Sequence, residues 1–102
     1  MAEVEVLWLA CGVLPGFRPA ERRVEIHVAG AAALLRLEVD ARSVRTEEPP
    51  CNGKPVPGFL RVLLWAHHGD TVSVVLPLLR GEQGAIVAVP QALVALAGEM
   101  AM

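Results

Sequence analysis

Apolar and polar residues alternate with a period of two along most of this chain. Glu3 and Glu5 alternate with Val4 and Val6, and the run Leu7-Trp8-Leu9-Ala10 then becomes apolar on both faces. In residues 22–29, Val24, Ile26 and Val28 point one way while Arg23, Glu25 and His27 point the other. Residues 34–45 repeat the pattern, with Leu35, Leu37, Val39 and Ala41 opposed to Arg36, Glu38, Asp40 and Arg42. Successive side chains on a strand face opposite sides of the sheet, so strict alternation predicts half-buried strands, whereas a helix would need a period of 3.6. Charges of both signs along the third stretch predict ion pairs across neighbouring strands.

The breaks between these stretches are carried by glycine and proline. Gly12, Pro15, Gly16 and Pro19 predict a loop over residues 11–21, pinned by Leu14 and Phe17 packing inward. Gly30 and the three alanines after it predict a turn or short link. Residues 47–58 hold Pro49, Pro50, Pro55 and Pro57, which fix φ and remove ladder donors, together with the turn signal Asn52-Gly53. This predicts a stiff projecting loop, serving as a connector or as a binding element that loses little entropy on docking. Its candidate contact residues are Pro49, Pro50, Asn52, Lys54 and Val56.

The second half reads as a long hairpin. Residues 59–67 and 71–79 are apolar on both faces and are joined by His68, Gly69 and Asp70. Strands of this kind lie centrally or are covered by a partner subunit. Trp65, His67 and His68 join the candidate binding residues. Trp8 and Trp65 both fall in apolar runs and are expected in the core, and either one found exposed would mark an interface. Residues 81–84 predict another turn, followed by a strand over 85–89. In residues 90–102 an initial proline, several alanines and the spacing of Leu93, Leu96 and Met100 predict a C-terminal helix. The fold class expected is mainly β: a small antiparallel β-barrel or curled sheet of about six strands with a C-terminal helix, in one domain over residues 1–102. No internal repeat is apparent along the sequence.

Composition narrows the possible functions. Hydrophobic residues make up 54% of the 102 residues and charged residues 20%, the reverse of a disordered chain. A domain of this size leaves much of its surface in water, so some of that apolar surplus is expected outside the core, where a contiguous patch marks a partner surface. A homodimer is the expected form. Lys+Arg is 9 against Asp+Glu 11, for a net charge of -2, which argues against nucleic acid as a partner. The longest uncharged stretch, residues 83–98, contains Pro90 and falls short of the roughly 20 residues of a membrane span. With an acidic start and no signal peptide pattern, the chain is expected to be bacterial and cytoplasmic, outside the membrane, with Cys11 and Cys51 as free thiols.

Motifs for chemistry are weak. Cys11, Cys51, His27, His67 and His68 lack the short spacings that place two ligands around one ion, so no metal and no cofactor is expected. Glu38 and Asp40 stand about 7 Å apart on one strand face, but Arg36 and Arg42 flank them, which fits a solvated surface better than acid–base catalysis. Residues 81–84 do not continue into a phosphate-binding loop. The segment 84–98 resembles the strand–proline–helix segment of AbrB-type swapped-hairpin DNA-binding domains, yet it carries none of the basic residues those domains have there, and the family is set aside. The preferred expectation is a non-enzymatic, self-associating protein-interaction module with no catalytic residue. Its alternatives are a binder of an apolar small molecule in a barrel or dimer cleft, and a thiol enzyme using Cys51 with His67 or His68.

Overall fold

A computed structural model describes residues 5–51, 53–77 and 84–96. Eight strands follow one another: β1 (Val6–Pro15), β2 (Glu21–Ile26), β3 (Leu35–Asp40), β4 (Val44–Thr46), β5 (Val56–His68), β6 (Thr71–Val75), β7 (Ile86–Pro90) and β8 (Val94–Leu96). All pairings are antiparallel. The main path through the sheet is β3-β2-β1-β5-β6-β7, with β4 added to β5 and β8 added to β1. The sheet curls into a half-barrel. Its inner face carries the core, in which Leu9, Val13, Val24, Ile26, Val39, Leu60, Val74 and Val89 are all fully buried.

The strand registers hold an internal two-fold repeat. In each half, three antiparallel strands are followed by a 3-10 turn and a short strand that crosses to the other half. β2–β3 pairs Glu21 with Asp40 and Glu25 with Arg36, while β6–β7 pairs Thr71 with Pro90 and Val75 with Ile86, so equivalent residues differ by 50. Val44 opposite Leu60 corresponds to Val94 opposite Leu9. The pair Gly12–Glu25 corresponds to Leu63–Val75, and Val13–Val24 to Leu64–Val74. The central β1–β5 pair closes the symmetry, because its pseudo-axis passes through the facing residues Leu9 and Leu60. Identity survives at Leu9/Leu60, Val24/Val74, Val39/Val89 and Val44/Val94. Three of these pairs are buried on both sides, and Val44 and Val94 both pack against the core.

Several sequence expectations change on this scaffold. Among the described residues no helix follows β7. Gln91–Leu93 forms a single 3-10 turn, and Val94–Leu96 is extended along Leu7–Leu9 of β1. The free edge of β1 offers backbone partners that an isolated alanine-rich turn lacks, and β-branched Val94 suits the pleat. Residues 97–102, where the helix was expected to end, lie outside the described residues, as do residues 78–83 at the end of the second hairpin arm.

The loop expected at residues 11–21 begins only after Pro15, since Gly12–Pro15 pair with Arg22–Glu25. Phe17 does not pack inward. It is 83% exposed, with the Arg23 guanidinium 5.5 Å from its ring centre. The single long strand expected over residues 34–45 is broken by a 3-10 turn at Ala41–Ser43. Asp40 caps this turn by accepting from the Arg42 backbone N–H at 2.9 Å, a local bond that competes with strand pairing.

The β5–β6 hairpin has the expected tip. Gly69 takes φ +66, a left-handed conformation that glycine adopts without strain. Gly58 marks a close approach in the central pair. A Cβ there would lie 2.7 Å from Val13 Cγ2 and 2.8 Å from the Arg45 carbonyl oxygen.

Candidate functional site

Two repeats with one register place equivalent residues on equivalent faces, so the outer faces of the two halves can be compared position by position. On the first half, the outer positions of β2 and β3 are charged and paired. Arg36 Nε donates to Glu25 Oε2 at 2.7 Å, and Arg23 reaches Glu38 Oε1 at 3.2 Å. These are the cross-strand pairs that charges of both signs on the two strands predict. On the second half, the same positions are Val75 for Glu25, Ile86 for Arg36, Ser73 for Arg23 and Ala88 for Glu38. The first half carries ion pairs on its outer face, and at the same four positions the second carries valine, isoleucine, alanine and serine.

The apolar positions form one surface. Register aligns Val6 of β1 with Leu63 of β5, Leu63 with Val75 of β6, and Val75 with Ile86 of β7, giving a row across four strands. Inward neighbours Val62, Val74 and Val89 are fully buried, which sets this row on the outer side. Ile86 is 49% exposed and Trp65, two residues beyond Leu63, is 65% exposed. The expectation that Trp65 lies in the core is therefore wrong, whereas Trp8 is buried at 6%, with the Arg45 guanidinium 4.5 Å from its ring centre.

A β-bulge accounts for Trp65. The β5–β6 register shifts between Leu64 and Ala66, whereas the equivalent β1–β2 register runs through Leu14–Arg23 without a shift. A bulge kinks its strand and re-aims a side chain, here the largest on the face. Arg61, two residues before Leu63, is exposed and is the one charged side chain on the outer face of β5, β6 and β7 among the described residues.

The other candidate binding residues scatter. Pro49, Cys51 and Lys54 are exposed, Pro50 is half-buried, and Val56 is buried as the first inward residue of β5. Asn52 lies outside the described residues. Cys51 and Lys54 form an isolated bridge that tightens the loop into a turn. His67 and His68 are exposed at the far end of β5. Eleven residues of β5 separate Val56 from His67, about 36 Å along the strand at about 3.3 Å per residue, so the structure does not bring the thiol and these imidazoles together.

Two surface clefts open near Cys11. One, of about 590 Å³, is flanked by Arg45, Glu47, Glu48 and Phe59, and a smaller one, of about 260 Å³, by Glu25, His27, Leu34 and Leu93. Cys11, His27 and Glu25 share the smaller cleft, but Glu25 is engaged by Arg36. Burial pushes the Cys11 thiol up to about 12, far from a thiolate at neutral pH. Among the described residues, no group of three or more His, Cys, Asp or Glu is placed to hold a metal ion.

Reactivity follows from this placement. One thiol per chain, Cys51, is expected to react with maleimide at neutral pH in the native protein, at the rate of an ordinary exposed thiol. Cys51→Ser should abolish the fast labelling, while Cys11, half-buried and held as a thiol, reacts far more slowly until the chain unfolds. Labelling of Cys11 in the native chain at a comparable rate would contradict that suppression.

Comparison with protein-family models, with curated proteins and with solved structures finds no match. No helix among the described residues is long and apolar enough to cross a membrane. What the fold defines is a mainly β, curled antiparallel half-barrel of two pseudo-equivalent halves, one ion-paired and one apolar on its outer face.

Proposed function

We propose that this chain is a non-enzymatic interaction module that self-associates through the outer face of β5, β6 and β7. One observation carries the reading: four charged positions that form ion pairs in the first half are uncharged at the same places in the second. Both halves need only apolar residues inside to fold, as Val24/Val74 and Val39/Val89 show. Folding therefore does not require Val75 and Ile86 outside. Exposed aliphatic residues adjoining one large aromatic residue make the kind of surface that association buries.

The apolar small-molecule reading has less support. The inner face is filled by fully buried side chains, and the larger cleft is bordered by Arg45, Glu47 and Glu48. The thiol-enzyme reading loses its histidines, which lie at the far end of β5 from the Cys51 turn, and Cys11 is not activated.

The test copies the first half onto the second. Val75→Glu with Ile86→Arg rebuilds the Glu25–Arg36 pair at its equivalent place. Sedimentation velocity over a micromolar to submillimolar series should show the unmodified chain shifting toward dimer and this variant staying monomeric. Equal sedimentation of the two would overturn the reading.

A further inference from the structure

The face has its own two-fold complement, and this inference rests on the self-association reading above. On β5, Leu63 stands midway in sequence between Arg61 and Trp65; Arg61 and Leu63 share the outer face because Leu60 and Val62 point into the core, and Trp65, unpaired at the bulge, is 65% exposed. Leu63 also lies in the row Val6–Leu63–Val75–Ile86 that crosses four strands. The sheet curls, so this face is convex, and a two-fold axis tangent to it at Leu63 and perpendicular to β5 brings Leu63 and its nearest neighbours in the row against their own copies. The same axis carries Arg61 of one copy over the position of Trp65 in the other.

We propose that the occupant of this face is a second copy of the chain in an isologous dimer, with Arg61 of each protomer stacked on the partner's Trp65. The pairing uses what the face offers. Its one cation among the described residues forms no ion pair with a described carboxylate, and its most exposed large aromatic is the tryptophan at the bulge. Tryptophan is the best aromatic partner for a cation, and the contact strengthens when water is excluded from it. The symmetry makes the contact twice per dimer, with residue i on j and j on i. Leu63 and its neighbours in the row supply an apolar seam between them. An unrelated acidic or basic partner would meet only one charge on this surface, whereas a second copy satisfies that charge with a group already on the face.

Complementation between single variants tests the geometry. Arg61→Ala and Trp65→Ala each remove both stacked contacts from their homodimers, and each should weaken dimerisation about tenfold or more. Both side chains are exposed, so circular dichroism should show both variants folded. Mixed one to one, the two variants should form a heterodimer in preference to either homodimer. The Arg61 that remains in one then meets the Trp65 that remains in the other, and one of the two contacts is restored. Native mass spectrometry of the mixture, with one variant isotopically labelled, should show the heterodimer well above the statistical half of all dimers.

A statistical mixture would overturn the Arg61–Trp65 geometry while leaving association through the face intact. An Arg61→Ala chain that dimerises as tightly as the unmodified one would overturn it as well. Failure of the broader reading appears elsewhere, as association that survives Val75→Glu with Ile86→Arg.

Discussion

Leu60→Ala is expected to lower the stability of this chain by about 3 kcal/mol, within the range of 2–5 kcal/mol for Leu truncations in well-packed interiors. Leu60 is fully buried and faces Leu9 across the central β1–β5 pair, at the point where the pseudo-axis passes. It also pairs with Val44 of β4, so a cavity there loosens the contact between halves from both flanks. Neighbouring backbone cannot collapse into the space, because the paired strands on both sides hold their spacing by hydrogen bonds. A domain of this size has roughly 5–15 kcal/mol in total, so the loss is a large share of it. With a urea slope of about 1–3 kcal/mol/M, the midpoint should fall by roughly 1–3 M at unchanged slope. Leu9→Ala, its symmetry equivalent, should behave alike. A loss below about 1 kcal/mol at both positions would contradict a shared central seam.

Converting the second outer face to the chemistry of the first is expected to have the larger effect on association. In the chain with Val75→Glu and Ile86→Arg, two aliphatic groups of the central row become a charged pair. That pair is stable in water, as Glu25–Arg36 is, but costly to desolvate against a second apolar sheet. Dimer affinity should drop at least a hundredfold. The fold should persist, because both positions are on the outer face and Val74 and Val89 still fill the inner one. An exposed cross-strand ion pair changes stability by less than about 1 kcal/mol, so the thermal midpoint should move by only a few degrees. Association lost together with the fold would say that these residues serve the monomer. Association lost from a folded chain would say that they serve the interface.

The alternating stretches made the strands and the mainly β class legible from the sequence. Val24, Ile26 and Val39 point inward as their period demands, and Arg23, Glu25, Arg36 and Glu38 pair across strands as their signs demand. The repeat was not legible, because the fold asks only for apolar inner positions while outer positions are free to diverge. Glu25/Val75 and Arg36/Ile86 share a place in the fold and no chemistry. The C-terminal helix was misread for a similar reason. Alanine and leucine favour a helix locally, but the open edge of β1 at Leu7–Leu9 decides for a strand.

The site was partly legible. Two-sided apolar strands pointed to the β5–β6 hairpin, yet Trp65 among apolar neighbours reads as core until the bulge is known. The proline loop drew attention through its composition, and its residues do not gather into a surface with the hairpin. The decisive signal, a charged face and an apolar face at equivalent positions, exists only once the two registers can be superimposed.

The most direct measurement is the fluorescence of Trp65 in a Trp8→Phe chain as protein concentration rises. Phe59 occupies the position equivalent to Trp8, so phenylalanine suits that place in the fold. The account predicts red-shifted, acrylamide-quenchable emission when dilute, turning blue-shifted and protected from quencher in step with dimer formation by sedimentation. Emission that stays red and fully quenchable at concentrations where the chain is dimeric, or a chain that never dimerises, would contradict burial of this face by a second copy.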